Sequence, residues 1–270
     1  MNLRVPDTLT AGNSEEYIVS IRLRPGGLSF TGLIPSKKES FFHTEIAIDP
    51  TKPSIREIKD IFFAHPFFAY SFRQTFVVWV NRQYTLIPAS VFVESQKEQL
   101  MSFVFSSPEE KILHERLDEF DSEILYGIQP EVHKFFSRSL LRVSFVHTVS
   151  PLLKQWRRQS LIAFPKQLFV AIHEDTMDAA CFYRDNLLFS NSFQVDDAAD
   201  MIYYIMYIWK QTEMDQQNDK LFLHAHASTY QTLKDTIQSY IMQVEFVQSV
   251  WPGTALEVPP DILALFTCES

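Results

Sequence analysis

Two nine-residue stretches, VSFVHTVSP (143–151) and VEFVQSVWP (244–252), carry Val-x-Phe-Val, then Val, then Pro at matching positions. The stretches that lead to them match in kind as well. ILYGIQPEVHKFFSRSLLRVSFVHTVSP (124–151) and LFLHAHASTYQTLKDTIQSYIMQVEFVQSVWP (221–252) each read as strand, helix, strand, proline. Further upstream, YIVSIRL (17–23), LSFTGLI (28–34) and SFFHTEIAI (40–48) read as three strands ahead of a helix. QLFVAI (167–172), DAACFYR (178–184) and LLFSNSFQV (187–195) read the same way, with Asp196-Asp197 opening the helix at the positive end of its dipole. A chain built this way is expected to fold as two halves of like topology, through internal duplication. The first half is placed at 1–160 and the second at 161–270.

The halves begin farther apart than they end, so the first is expected to carry an insertion near 66–115. It holds a hairpin, TFVVWV-NRQ-YTLIP (75–88), and helical stretches around 96–103 and 108–117. Ser54-Ile55-Arg56-Glu57 and Ser107-Pro108-Glu109-Glu110 both have the spacing of a capping box. Pro25-Gly26-Gly27 marks a tight turn between the first two strands, because glycine tolerates positive φ.

Composition narrows the functional classes. With 270 residues, 46% of them hydrophobic, the chain can bury a large core. A net charge of -9 repels phosphate backbones, so no nucleic-acid partner is expected. The one dense basic cluster, Lys154, Arg157 and Arg158, reads as a solvated helix face. No apolar run approaches the ~18 residues that span a bilayer, and MNLRVPDTLTAGNSEE lacks the apolar stretch of a signal peptide. Cys181 and Cys268 form no CxxC pattern, so buried reduced thiols and a cytoplasmic setting are expected.

Two β-β-β-α-β-α-β-α halves around a central cleft resemble the duplicated ribonuclease H-like, or actin-like, fold of actin, sugar kinases and the pilus-assembly ATPases. More closely, YTLIPASVF, ILYGIQPEV and the repeated Val-x-Phe-Val are similar to an uncharacterised bacterial domain-of-unknown-function family to which that fold is attributed. The resemblance implies three places that would grip ATP. Two are hairpin turns of the Asp-x-Gly kind, and the third is a glycine pair that ends a strand of the second half. At each, a Cβ would keep phosphate or ribose away from main-chain N–H groups.

The sequence departs from that pattern. The first hairpin, SIRLRPGGLSF, keeps Gly26 and Gly27 but has Ile21 to Arg24 where an acid is expected. The second, AIHEDTMDAACF, has acids and no glycine. The third stretch, KLFLHAHAS (220–228), has a side chain in place of every glycine. Of six glycines in the chain only Gly253 lies beyond residue 127. ATP binding in the second half is therefore expected to be lost, and no cofactor is expected.

What chemistry remains is sparse. His224 and His226 alternate with apolar residues, which predicts one strand face for both. With His173, Glu174, Asp175 and Ser228 they are the candidates to line the cleft, as imidazoles filling a vacated nucleotide site or holding a ligand. An HxH pair can supply two positions of a metal. Glu174, Asp175 and Asp178 read as a solvated corner. Nuclease chemistry needs converging carboxylates, and YIVSIRL supplies none. No Gly-x-Ser-x-Gly occurs, and Cys181 lies mid-strand. No catalytic residue is assigned. The helix after Asp197 is apolar nearly all round, so Tyr204, Tyr207 and Trp209 are candidate interface residues, along with phenylalanine pairs that could be exposed. Together these features predict a non-catalytic actin-like module that binds another protein or itself, the alternative being a ligand- or metal-binding enzyme or sensor.

Overall fold

The computed structural model describes residues 3–48, 55–109, 111–161, 165–173 and 175–268. The chain divides into two compact units. One comprises 1–116, 123–148 and 269–270; the other comprises 117–122 and 149–268.

In the first unit, β1 (Ile18–Arg24), β2 (Gly27–Ile34) and β3 (Lys37–Ala47) form an antiparallel meander. The β1–β2 turn closes tightly, with Arg24 opposite Gly27 and Gly26 at φ 76°. After α1 (Ile55–Ala64), β4 (Gln74–Trp79) returns parallel to β1. The chain then leaves the sheet for β5 (Tyr84–Pro88), α2 (Lys97–Val104), β6 (Lys111–Leu117) and β7 (Ser122–Ile128), whose strands form a separate sheet in the order β5-β7-β6. Next, α3 (Pro130–Ser139) leads to β8 (Val143–His147), parallel to β4. The main sheet has the order β3-β2-β1-β4-β8.

Beyond residues 117–122, the second unit starts with α4 (Val149–Ser160). Its meander is β9 (Lys166–His173), β10 (Thr176–Tyr183) and β11 (Asn186–Gln194). After α5 (Ala198–Gln211), β12 (Lys220–His224) runs parallel to β9. Then α6 (Ala227–Gln238), β13 (Gln243–Val247) and α7 (Pro260–Cys268) complete it. The order β11-β10-β9-β12-β13 has the same sequence of senses as the first sheet. Asp197 starts α5 as its sequence suggests, its carboxylate accepting from the N–H groups of Ala199 (2.8 Å) and Asp200 (3.0 Å).

The structure corrects four expectations. The hairpin over 75–88 does not form: β4 lies in the main sheet, and β5 pairs in the smaller one. It is β4, not residues 124–128, that holds the place of β12, so the additional elements lie at 84–128 rather than 66–115. ILYGI and TFVVW are both continuous apolar runs, and nothing local tells one from the other. The helix over 108–117 is replaced by β6, because pairing in the small sheet outweighs a local capping pattern whose Glu110 lies outside the described residues, as does Ser54 of the other box. Lastly, the phenylalanine pairs are mostly core: Phe42, Phe62, Phe67, Phe68, Phe135 and Phe136 are buried, with Phe63 exposed. Phe30 anchors this cluster, with ring centroids 5.1 Å from Phe67 and 5.0 Å from Phe68.

The second core is built on one face of its sheet. Leu168, Val170, Met177, Ala179, Leu221 and Leu223 face α5 and α6, and α5 contributes Met201, Ile205, Ile208 and Trp209. Trp209 is 3% exposed, so it is no surface residue. Cys181 belongs to this core, where burial raises its thiol to about 11 and leaves it inert.

Candidate functional site

The three turns singled out in the sequence can be built up from their residues. At the β1–β2 turn the guanidinium of Arg24 folds over Gly27. A Cβ added there would lie 2.7 Å from Arg24 Cζ. Arg22 is buried one step back, opposite Ser29, which is itself opposite Glu45. A hydrogen bond from His43 is the main influence holding the Glu45 carboxyl below its usual range, and Arg24 and Arg22 add to it. The turn is thus basic, with a carboxylate supplied from β3.

The β9–β10 turn places Thr176 opposite His173. Glu174 lies outside the described residues. Asp175 is exposed, and its carboxylate accepts from the Thr176 hydroxyl (3.2 Å). Asp178 is not part of a solvated corner: it is 1% exposed and accepts a short hydrogen bond from the Ser192 hydroxyl. The alternation of β10 turns Asp178 to the face opposite Met177 and Ala179.

Strand register then sets out a row. Ser192 stands opposite Asp178, Asp178 opposite Ala171, and Ala171 opposite His224. Directly opposed residues share a face, so this is one polar line across four strands, with Ala171 keeping it uncrowded. His173 lies two residues along β9 on that face, its Nε2 3.5 Å from Asp178 Oδ2. The His224 ring sits 6.1 Å from that of Trp156 on α4, and its buried Nε2 has no hydrogen-bond partner among the described residues. Burial, helped by the charge His173 can carry, lowers His224 to about 4, so it is neutral at physiological pH.

His226 does not join it. The strand stops at His224, so alternation does not carry on to His226. His226 is the N-cap of α6. Its Nδ1 lies 2.9 Å from Ser228 Oγ and accepts from the Ser228 N–H at 3.5 Å. Its Nε2 is 3.6 Å from Glu257, and its side chain is 68% exposed. The predicted pair is therefore split, one ring buried and one capping a helix. Among the described residues no group of three or more His, Cys, Asp or Glu is placed to hold a metal. A shallow hollow of about 240 Å³ lies beside this helix start, lined by Ala198, Met201, Ser228, Thr229 and Thr232.

Of the other candidates, Tyr204 stacks on Phe193 (4.3 Å) and Tyr207 is exposed beside Tyr203 (6.3 Å). His147 is a packed polar position, its Nε2 within 3.0 Å of Asn81 Oδ1 and its ring against Tyr84 and Tyr126. Sequence reasoning missed Ser192 and the Arg22–Ser29–Glu45 row. The signal was available, as polar residues at every second position of otherwise apolar strands.

Set against known proteins, the architecture has clear kin. A crystal structure of a Bacteroides thetaiotaomicron protein with actin-like ATPase fold and unknown function is similar at 26% identity and a TM-score of 0.85, over 96% of this chain and 99% of that one. The structure of the PilM-PilN type IV pilus biogenesis complex is similar at 9% identity and a TM-score of 0.52, over 86% of this chain and 88% of that one, a likeness of fold alone. No curated protein matches. Residues 6–244 match the family described as protein of unknown function (DUF3822), and the chain belongs to it.

Proposed function

We propose, from membership of that family and from the three turns, that the chain is an actin-like module that has given up nucleotide binding and acts by binding protein. The observation that carries this is His226. Where a nucleotide would need bare main chain at the start of α6, an imidazole already caps the helix and bonds to Ser228. Arg24 likewise covers Gly27 at the first hairpin. The matching strand order of the two units supports an origin by duplication, in which the second copy has shed its glycines. A buried free thiol at Cys181 fits a cytoplasmic home, and no described helix is long and apolar enough to cross a membrane.

Calorimetry with Mg-ATP is the test. No heat of binding is expected up to millimolar nucleotide, and sub-millimolar affinity would remove the reading. A second reading is favoured by one observation, the buried Nε2 of His224, which has no hydrogen-bond partner among the described residues and lies near His173. It makes the polar row of the second unit a ligand site, and a Zn²⁺ titration with His224→Gln as control decides it.

A further inference from the structure

We propose that β11 is the seam of a homodimer, in which two copies join their second sheets edge to edge, antiparallel, about a two-fold axis through Asn191. This rests on the reading that the chain works by binding protein, and it names the partner as a second copy.

β11 ends its sheet, and among the described residues it pairs with β10 alone. Exposed strand edges are normally guarded by charge, proline or a bulge away from the neighbour. The opposite kind of edge is seen in β3, which carries Lys37, Lys38, Glu39 and Glu45, and β13 carries Glu245. β11, NLLFSNSFQ, has neither a charged residue nor a proline. Its one irregularity faces Cys181/Phe182, and from Phe189 to Gln194 the register with β10 is unbroken.

Within that unbroken stretch the sequence is complementary to itself. A dyad at Asn191 sets Phe189 of one copy opposite Phe193 of the other, twice, and Ser190 opposite Ser192, with the two Asn191 side by side on the axis. Phe189, Asn191 and Phe193 share one face, the face that α5 covers. A shift of one residue would set Phe opposite Ser and lose both aromatic pairs.

The helix above extends the same surface. Successive residues of α5 are turned by about 100°. Tyr204, stacked on Phe193, thus lies on the β11 side of the buried stripe of Met201, Ile205 and Ile208, and Tyr203 and Tyr207 lie farther round that flank. Both are exposed, 62% and 43%, with their rings stacked. The dyad runs the two α5 helices antiparallel, which brings the acidic start at Asp200 of one toward Lys210 at the end of the other.

The test is sedimentation of the full chain from micromolar to sub-millimolar concentration, with three variants at the exposed axis residue. The wild type is expected to be a dimer. Asn191→Lys sets two ammonium groups side by side and is expected to be monomeric, as is Asn191→Glu, while an equimolar mixture of the two regains the dimer. Asn191→Cys is expected to cross-link to its mate on oxidation, since directly opposed residues lie within disulfide reach, whereas Asn186→Cys is not. A wild type that stays monomeric, or a dimer that survives Asn191→Lys, overturns the seam. Neither result bears on nucleotide loss, and nucleotide binding in calorimetry would leave the seam untouched.

Discussion

Burial keeps the imidazole of His224 uncharged in the fold down to about 4, while an unfolded chain takes up its proton near 6.5. Above 6.5 the two states bind protons alike, and this residue adds no pH dependence. As pH falls from 6.5 toward 4 the unfolded state gains a proton that the fold refuses, so stability drops, by roughly 3 kcal/mol once the pH is below both values. Urea denaturation at neutral pH and at about pH 5 should therefore show a loss that His224→Gln largely removes. Equal losses in both proteins would mean that another group is responsible. The sequence pointed to His224 but coupled it to His226, because alternation says which way a side chain faces only while the strand lasts. It read Asp178 as solvated for the converse reason: in a hairpin, one step decides between corner and core.

Among the elements, β2 shows how a missing side chain can fix a strand. A Cβ on Gly32 would come within 2.5 Å of Phe42 Cε1, across the β2–β3 pair. The Phe42 ring has little freedom to withdraw, with Phe30 at 5.5 Å and Tyr17 at 6.2 Å. Gly32→Ala should cost about 1–3 kcal/mol by overpacking, and Phe42→Leu in the same chain should return part of it. Chemical denaturation of the single and double variants checks this, and a single variant with the wild-type midpoint would refute it. The two meanders, the Pro-Gly turn and the Asp197 cap were legible because each is written in neighbouring residues. β6 was not, since its strand state is imposed by β7 and is written elsewhere in the chain.

For the molecule as a whole, each unit has a buried core of its own, and the small sheet of the first unit adds another around Met101, Ile112 and Leu125. Trp156, Trp209 and Trp251 belong to the second unit and Trp79 to the first, so fluorescence reports mainly on the second while far-UV ellipticity draws on both. Leu223→Ala, deep in the second core, should cost about 2–5 kcal/mol and move the fluorescence midpoint farther than the ellipticity midpoint. Identical shifts would show that the units unfold as one. The repeated Val-x-Phe-Val led to the right partners here: its two occurrences are β8 and β13, each at one end of its sheet beside the fourth strand.

From Trp79 to Pro130 the chain makes a long excursion between two elements of the first unit, where the second unit passes from His224 to Ala227 almost directly. Because the short route still closes a five-stranded sheet of the same order, the excursion is not what sets the strand order of the first. Relatives of this chain should therefore differ in length most between Trp79 and Pro130, where the second unit takes its shortcut.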